Sequence, residues 1–268
     1  MKKLAHLSEI YDRYDTYIVD LWGVVHDGIN LNQSAMEAMD KLYSKNKKIF
    51  FLSNAPRPSS NVVKFLSKLQ MDKKYLENIY TSGQAAINSF KENKFGKLFF
   101  HLGPDRDKEI FEGLEKNKTS IEKSDFILCT GLFDEKENDL EYYKNILKNF
   151  KNKKFICTNP DLTVHRGKII EYCAGTVAKI FETLGGKVVY FGKPYPGVYN
   201  ELIDKGKNVL AIGDNLKTDI KGANNLKIDS LFIAGGVHRS EYKNERDIEK
   251  LLEKYGVSTN FFQNNLIW

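Results

Sequence analysis

The chain has 268 residues, of which 41% are hydrophobic and 12% aromatic, so its composition is that of a globular protein and excludes a disordered or fibrous one. This length suits one large α/β domain or a core with a smaller companion. The formal net charge of +6 comes from scattered lysines with no basic stripe interleaved with aromatic residues, so we expect no nucleic-acid partner.

Apolar runs and cysteine usage bear on the location of the protein. No run approaches the roughly 18 apolar residues that a membrane helix needs. Ser8, Glu9 and Asp12 follow the first lysines, which leaves no hydrophobic core for a signal peptide. We therefore expect a cytoplasmic protein without a membrane partner. The three cysteines are odd in number and widely spaced, which favours buried thiols over disulfides or a zinc site.

Short apolar runs alternate with amphipathic segments along the chain. Each run is rich in β-branched or aromatic residues and is followed by Gly, Asn, Asp or Ser, as is typical of buried parallel strands with polar ends. Helical periodicity predicts helices at 61–69, 140–150 and 169–184. This alternation predicts an α/β fold with a doubly wound, mostly parallel sheet. The predicted strands are residues 17–19, 48–52, 98–100, 126–129, 155–157, 188–191, 209–212 and 231–234.

The first predicted strand leads into Asp20, which a glycine-bearing turn follows. Ligands of open α/β sheets bind outside the carboxyl ends of the strands, so residues at these ends are candidates for chemistry. A carboxylate there can attack phosphorus and form an aspartyl-phosphate, which divides one difficult step into two. Asp is also common in turns, so Asp20 suits a turn cap equally well.

Two further strand ends carry residues suited to phosphate binding. Ser53 and Asn54 follow the second predicted strand and can donate hydrogen bonds to phosphoryl oxygens, or cap the next helix. Lys193 follows the strand predicted at 188–191. Its ammonium can neutralise a nucleophile and a phosphoryl group. It also suits a surface position before a rigid turn.

The segment from Gly213 to Ile220 places Asp214 and Asp219 just after an apolar strand. Magnesium is usually held by one or two carboxylates together with water and substrate phosphate oxygens. Asp214, Asp219 and Asp20 can together supply such a set. Two acidic residues in one loop are common, so the interpretation depends on the whole ordered set of strand ends.

In their order along the chain, these segments resemble the haloacid dehalogenase (HAD) superfamily of phosphohydrolases. The resemblance points to class IIA, the branch of NagD-like proteins and 4-nitrophenylphosphatases, and covers nearly the whole chain. The segment from Cys157 to Asp161 is similar to a cap-domain signature of that branch. The other matching segments are Trp22-Gly23-Val24 with Asp27-Gly28, Leu52-Ser53-Asn54-Ala55, Gly192-Lys193-Pro194 and Gly213-Asp214-Asn215 through Thr218-Asp219.

The resemblance implies a Mg²⁺-dependent phosphomonoester hydrolase that acts through an aspartyl-phosphate. Its substrate would be a small phosphorylated metabolite: a sugar phosphate, a nucleotide, or an aryl or cofactor phosphate. Asp20 would be both the nucleophile and a metal ligand, and Lys193 would hold the phosphoryl group against it. The other implied metal ligands are the backbone carbonyl of Trp22, Asp214 and Asp219, and the other implied phosphate-binding residues are Ser53 and Asn54.

Members of this family have a Rossmann-like core with a cap inserted between the Ser-Asn motif and the lysine. The resemblance therefore implies a catalytic core at 1–83 and 187–268 and an α/β cap at 84–186. Caps of this branch often pair two protomers, so a homodimer through the cap is expected by resemblance. Candidate substrate contacts are Asn159, Asp161, His165 and Arg166 in the cap, and His238 and Arg239 in the core.

One position departs from the family pattern. Phosphatases of this family usually carry a second Asp two residues after the nucleophile, which protonates the leaving group, and here that residue is Trp22. An indole N–H donates a hydrogen bond but does not titrate in this role. The protein can therefore be a phosphatase limited to good leaving groups, or one that uses another acid such as His26 or Asp27.

Two other interpretations stay open at this point. One is a related reaction such as dehalogenation, but dehalogenase-type members work without metal, and the pair Asp214 and Asp219 favours a metal. The other is a phosphate-binding protein with vestigial activity. Function must be decided from the site rather than from the fold.

Overall fold

A computed structural model of the protein describes residues 1–166, 169–199, 202–204 and 206–268. The strands are β1 (Lys2–Lys3), β2 (Thr16–Val19), β3 (Lys48–Ser53), β4 (Ile79–Thr81), β5 (Phe99–Leu102), β6 (Phe126–Cys129), β7 (Lys154–Cys157), β8 (Thr163–Arg166), β9 (Ile169–Tyr172), β10 (Lys187–Tyr190), β11 (Val209–Gly213), β12 (Asp229–Ile233) and β13 (Phe261–Gln263). The α-helices are α1 (Gln33–Ser44), α2 (Ser59–Lys68), α3 (Lys73–Leu76), α4 (Ser82–Lys91), α5 (Leu140–Leu147), α6 (Ala174–Thr183), α7 (Lys221–Leu226) and α8 (Glu245–Tyr255).

The chain divides into two compact units. The first comprises Met1–Ser53, Val63–Tyr80 and Lys193–Trp268, and the second comprises Asn54–Val62 and Thr81–Gly192. The expected division into a core at 1–83 and 187–268 and a cap at 84–186 stays a prediction. No helix among the described residues is both long and apolar enough to cross a bilayer.

The first unit is built on a sheet with the strand order β1-β13-β12-β11-β2-β3-β4. The pairs from β1 through to β3 are parallel. From β2 the chain continues to β3 on one side, whereas from β11 it continues to β12 on the other. The strand order therefore reverses between β2 and β11, and such a switch point is where open α/β sheets bind ligands. Both strands are buried along their whole length, as central parallel strands covered on both faces should be.

The second unit has its own parallel sheet, in the order β10-β7-β6-β5. Helix α6 packs on this sheet through Phe181, whose ring stacks on Phe155 with 4.9 Å between the ring centroids. Phe90 of α4 stacks on Phe126 at 5.7 Å. Strands β8 and β9 form a separate antiparallel pair. Helices thus pack on both faces of the four-stranded sheet, as layered α/β packing requires.

The α/β prediction is confirmed, and each predicted strand is found within two residues of its expected bounds. The helix expected at 169–184 is wrong at its start, because Ile169–Tyr172 forms β9 and α6 begins only at Ala174. Isoleucine and tyrosine favour a strand when a partner is at hand, and β8 supplies that partner. The three cysteines are buried free thiols, as expected.

Candidate active site

Two neighbouring strands of the first unit lead into carboxylates. Asp20 follows β2 and Asp214 follows β11, and the backbone N–H of Asp20 donates to the Ile212 carbonyl at 2.8 Å. Asp219 lies in a π-helical turn at Leu216–Ile220, a form that recurs at functional sites. The Asp219 carboxylate turns back and accepts the N–H of Asn215 at 3.1 Å through Oδ2. The switch point of the sheet thus gathers three acidic side chains.

The carboxylates of Asp20, Asp214 and Asp219 form a compact buried cluster. One oxygen from each lies within 4.8 Å of the others. The three residues are only 8%, 4% and 4% exposed, so water does little to screen their mutual repulsion. Burial and the nearby charges of Asp20 and Asp219 raise the pKa of Asp214 well above its usual range.

Lys193 is the cation of this cluster. Its Nζ lies 2.5 Å from Oδ1 of Asp20 and 2.7 Å from Oδ1 of Asp219, and the residue is 3% exposed. Burial alone would lower the pKa of Lys193, but the two carboxylates outweigh it and raise the pKa above its usual value. When all three carboxylates are ionised, the ammonium of Lys193 offsets only one of their three negative charges. An oxygen donor set with that deficit fits a divalent cation such as Mg²⁺.

The backbone after Trp22 lies against this cluster. Gly23 has φ +85°, and a Cβ atom there would lie 2.1 Å from Oδ2 of Asp214. Only glycine accepts this conformation and this closeness together. The Trp22–Gly23 segment therefore runs beside the Asp214 carboxylate, although the predicted role of the Trp22 carbonyl as a metal ligand stays a prediction.

The predicted phosphate-binding residues lie at the end of β3. Ser53 is the last residue of that strand, and β3 is the other neighbour of β2. Asn54 belongs to the second unit, where its amide donates to Oδ1 of Asp161 at 3.3 Å. Contact of Ser53 and Asn54 with a phosphoryl group stays a prediction. Asn159 also interacts locally, because its side chain accepts the N–H of Asp161 at 3.0 Å.

Comparison with known proteins places this chain in a family. A family model described as haloacid dehalogenase-like hydrolase matches residues 17–116, and a HAD-hydrolase-like model matches residues 190–254. Together they cover more than half of the chain and contain Asp20, Lys193, Asp214 and Asp219. The chain belongs to the haloacid dehalogenase-like hydrolases. It is a class IIA enzyme of the phosphatase type, so the expected family is confirmed.

The similar proteins include both sequences and solved structures. An acid sugar phosphatase of Staphylococcus haemolyticus is 25% identical over 245 residues, which cover 87% of this chain and 90% of the relative. A HAD-like hydrolase structure from Brucella suis 1330 matches 100% of both chains with a TM-score of 0.84 and 29% identity. A glycerol phosphate phosphatase from Mycobacterium tuberculosis, solved with calcium, matches 85% of this chain and 68% of its own with a TM-score of 0.65. At 22% identity, the last shows the fold alone.

Trp22 of this HAD hydrolase is half-buried and held in place by aromatic contacts. Its ring meets His26 edge-on, with 5.2 Å between centroids, and His26 meets Phe65 in the same way at 5.4 Å. Gly28 has φ +92°, and a Cβ atom there would lie 2.5 Å from Cη2 of the indole. The loop after the nucleophile is thus packed around an indole instead of a carboxylate.

The two alternative acids in this loop are turn residues. Burial lowers the pKa of His26 to about 4, and its Nδ1 accepts the N–H of Gly28 at 3.0 Å. Asp27 is exposed and accepts the N–H groups of Ile29 and Asn30, each at 2.8 Å. These backbone hydrogen bonds lower the pKa of Asp27. At neutral pH His26 is therefore neutral and Asp27 ionised, so neither is poised to give a proton to a leaving group.

Structure also corrects or extends the predicted set of HAD site residues. His238 is one of the candidate substrate contacts, but both of its ring nitrogens are engaged within the protein, with Leu216 and Glu241. Arg239 lies over the ring of Tyr242. The side chains of His165 and Arg166 lie outside the described part of the chain. Sequence reasoning missed Tyr199, a buried phenol beside the carboxylate cluster whose pKa is raised chiefly by burial, because no strand end or motif marks it.

Proposed function

We propose that this HAD hydrolase is a Mg²⁺-dependent phosphomonoesterase that acts on a small phosphorylated metabolite through an aspartyl-phosphate at Asp20. The observation that carries the proposal is the buried triad of Asp20, Asp214 and Asp219, with Lys193 contacting two of the three. An arrangement of buried like charges is costly unless a cation completes it. A glycerol phosphate phosphatase of the same fold from Mycobacterium tuberculosis was solved in complex with calcium, which is consistent with a divalent cation in the proposal.

The metal site of the proposal uses side chains already close together. Asp20, Asp214 and Asp219 would hold the ion, and the Trp22 carbonyl is the proposed backbone ligand. When bound, Mg²⁺ supplies positive charge that offsets the carboxylates and the phosphoryl oxygens. The Gly23 backbone lies close to Oδ2 of Asp214, and the N–H of Val237 donates to the same oxygen at 2.7 Å, so both restrict that carboxylate.

Two displacements at phosphorus make up the reaction. A carboxylate oxygen of Asp20 attacks phosphorus, and the bond from phosphorus to the ester oxygen breaks with its electron pair leaving on the alcohol or phenol oxygen. Water then attacks the aspartyl-phosphate, which releases inorganic phosphate and restores the Asp20 carboxylate. Lys193 holds the phosphoryl group against Asp20, and Ser53 and Asn54 donate to its oxygens.

Trp22 shapes the substrate range in this proposal. None of Trp22, His26 and Asp27 can serve as a general acid at neutral pH, so in this proposal the leaving oxygen departs as an anion or takes its proton from solvent. General acid assistance is worth roughly 10²–10⁴ in rate. The enzyme should therefore prefer phosphate esters of acidic alcohols and phenols. A phosphate-binding protein with little turnover is the second candidate, and it rests on the same substitution.

Substrate identity, assembly and location complete the proposal. The acid sugar phosphatase relative makes sugar phosphates the first class to test, with nucleotides and cofactor phosphates next. A cap at 84–186, a homodimer through that cap, and a cytoplasmic location all remain part of the proposal. No nucleic-acid or membrane partner is invoked.

Hydrolysis of 4-nitrophenyl phosphate tests the proposed function. Phosphate release should require Mg²⁺, stop with EDTA and return with added Mg²⁺, and Asp20→Asn should abolish it. No turnover on a broad phosphoester panel, combined with saturable binding of inorganic phosphate, would favour the binding protein. Chloride release from a haloacid without metal would contradict the phosphatase proposal.

A further inference from the structure

Two loops of the first unit run side by side behind the carboxylate cluster. The loop after β12 donates the N–H of Val237 to Oδ2 of Asp214 at 2.7 Å. Its next residue, His238, accepts the N–H of Leu216 through Nε2 at 3.1 Å. Val237 and His238 therefore hydrogen-bond to Asp214 and Leu216, the two neighbours of Asn215 in the loop after β11. The N–H of Asn215 itself donates to Asp219.

These contacts determine the tautomer of His238. A backbone N–H is only a donor, so Nε2 must present its lone pair to Leu216. The neutral ring then carries its proton on Nδ1, which donates to Oε1 of Glu241 at 2.6 Å. A carboxylate that holds one ring nitrogen in this way sets which nitrogen is free to accept.

Glu241 is itself fixed by helix α8. The Nζ of Lys254 lies 2.7 Å from Oε2, and the hydroxyl of Tyr255 donates to the same carboxylate at 2.9 and 3.0 Å. Burial would raise the pKa of Glu241, but the hydrogen bonds from Lys254, His238 and Tyr255 lower it to about 2. The carboxylate therefore stays ionised and keeps accepting from Nδ1 across the neutral range.

The ring of His238 is also held by packing. The residue is 4% exposed, and its ring lies against Tyr255 with 4.8 Å between centroids. The ring of Phe232 in β12 lies 6.3 Å away between centroids. Helix α8 begins with a reciprocal capping arrangement between Asn244 and Asp247, so the support behind the ring is a well-formed helix. Packing and hydrogen bonds together therefore hold the imidazole in this orientation.

We propose that His238 is a positioning residue that holds Leu216, and with it the loop of Asp214 and Asp219, in the arrangement that accepts a divalent cation. Glu241 is its partner and sets the tautomer that this task needs. The inference rests on the proposed function, because it concerns the same metal site, and it adds two residues that are not among the proposed metal ligands.

The expected effect follows from what the loop loses without His238. Leu216 is the first residue of the π-helical turn that carries Asp219. Without an acceptor for its buried N–H, this residue must move until the N–H finds water or another partner. Such a movement displaces Asp219 relative to Asp214. Removing the groups that orient metal ligands typically weakens metal affinity about 10–100-fold.

Isothermal titration calorimetry with Mg²⁺ alone, in the absence of substrate, tests the proposal. His238→Phe keeps a ring but removes the acceptor, and we expect the Kd for Mg²⁺ to rise about 10–100-fold. His238→Gln can still offer a carbonyl oxygen to Leu216 and should lose less. Glu241→Gln, a milder change, can donate to Nδ1 and favour the wrong tautomer, so it should also weaken binding.

Ile248→Ala is the matched control. Ile248 is fully buried on α8 in the same apolar cluster as Leu216, but it takes no part in the hydrogen bonds. It should lower Tm and leave the Kd for Mg²⁺ within twofold. If His238→Phe and Glu241→Gln shift the Kd no more than Ile248→Ala does, the inference is wrong while the proposed function stands. Absence of Mg²⁺ binding by the unaltered protein would overturn both.

Discussion

Lys193 donates to Asp20 across 173 residues of sequence, with 2.5 Å between Nζ and Oδ1. The same ammonium reaches Asp219 at 2.7 Å, so one side chain balances two acidic ones in a buried place. Neither contact depends on a flexible surface partner. Through these two contacts, Lys193 couples the charge state of Asp20, the proposed nucleophile, to that of Asp219, a proposed metal ligand.

Lys193→Met should leave the two carboxylates without their cation. We expect kcat to fall about 10²–10³-fold, the usual loss when a charge that stabilises the transition state is removed. Steady-state hydrolysis of 4-nitrophenyl phosphate at saturating Mg²⁺ measures it. Lys144→Met, at an exposed helical position, is the control and should retain full activity. A Lys193→Met enzyme within threefold of the original rate would contradict the role given to this ammonium.

Asp214→Asn should remove the stabilisation that Mg²⁺ gives without destabilising the metal-free protein. The change removes a buried acid that repels Asp20 and Asp219, so the metal-free protein should be at least as stable as before. Mg²⁺ at 100 times its Kd should stabilise the original protein by about 2.7 kcal/mol, and this gain should vanish in the variant. Thermal unfolding with and without Mg²⁺ gives both quantities. Equal Mg²⁺ stabilisation of the exposed-site control Asp134→Asn and of Asp214→Asn would refute the metal site.

Trp22→Asp should broaden the range of leaving groups. A carboxylic acid two residues after Asp20 can protonate the leaving oxygen, so alkyl phosphates should gain up to about 10²–10⁴ in kcat/KM. Esters of 4-nitrophenol need no proton and should change little. A plot of log kcat/KM against leaving-group pKa should be steep for the original enzyme and flatter for the variant. Trp22→Phe is the control, and a flat plot for the original enzyme would mean that another acid operates.

Stability should fall with acidity because of His101, a buried histidine of the second unit. Its Nε2 lies 3.0 Å from Oγ1 of Thr130, and burial lowers its pKa from 6.5 to about 4. As pH falls, the imidazole of the unfolded chain is protonated near pH 6.5, whereas the buried imidazole of the folded protein stays neutral until about pH 4. His101 therefore contributes stability above pH 6.5 that is lost as pH falls toward 4, at most about 3 kcal/mol.

Chemical denaturation of His101→Gln across that pH range tests the assignment. The free energy of unfolding should depend less steeply on pH than in the original protein. His6→Gln, at an exposed position, should keep the original slope. Parallel curves for His101→Gln and the original protein would show that this imidazole does not set the slope.

The strands and the acidic cluster could be predicted because central parallel strands are apolar on both faces and end in polar residues. Asp20 and Asp214 were found in this way, at the ends of β2 and β11. Lys193 was also found at a strand end, but β10 belongs to the four-stranded sheet, and strand signals carry no information about which sheet a strand joins.

Other features were missed for identifiable physical reasons. Strands β1 and β13 have too few residues to show a period. Residues 169–172 suit a helix or a strand, and only the pairing with β8 decides. The sequence does not say whether the His238 ring faces a substrate or a backbone N–H, because that depends on the fold of both loops. The packing of His26 and the hydrogen bonds that Asp27 accepts from Ile29 and Asn30 likewise depend on the folded conformation of their loop.

The position of β2 in its sheet has a consequence for biosynthesis. One edge of β2 pairs with β3, which follows soon after it, but the other edge waits for β11, near the far end of the chain. As the ribosome extends the chain, that edge stays uncovered while the four-stranded sheet at 99–190 can already close on itself. An uncovered apolar edge invites pairing with other chains. Release of a truncated product that lacks β11 should therefore give an aggregation-prone fragment, and the proposed catalytic centre must be among the last parts of the protein to form.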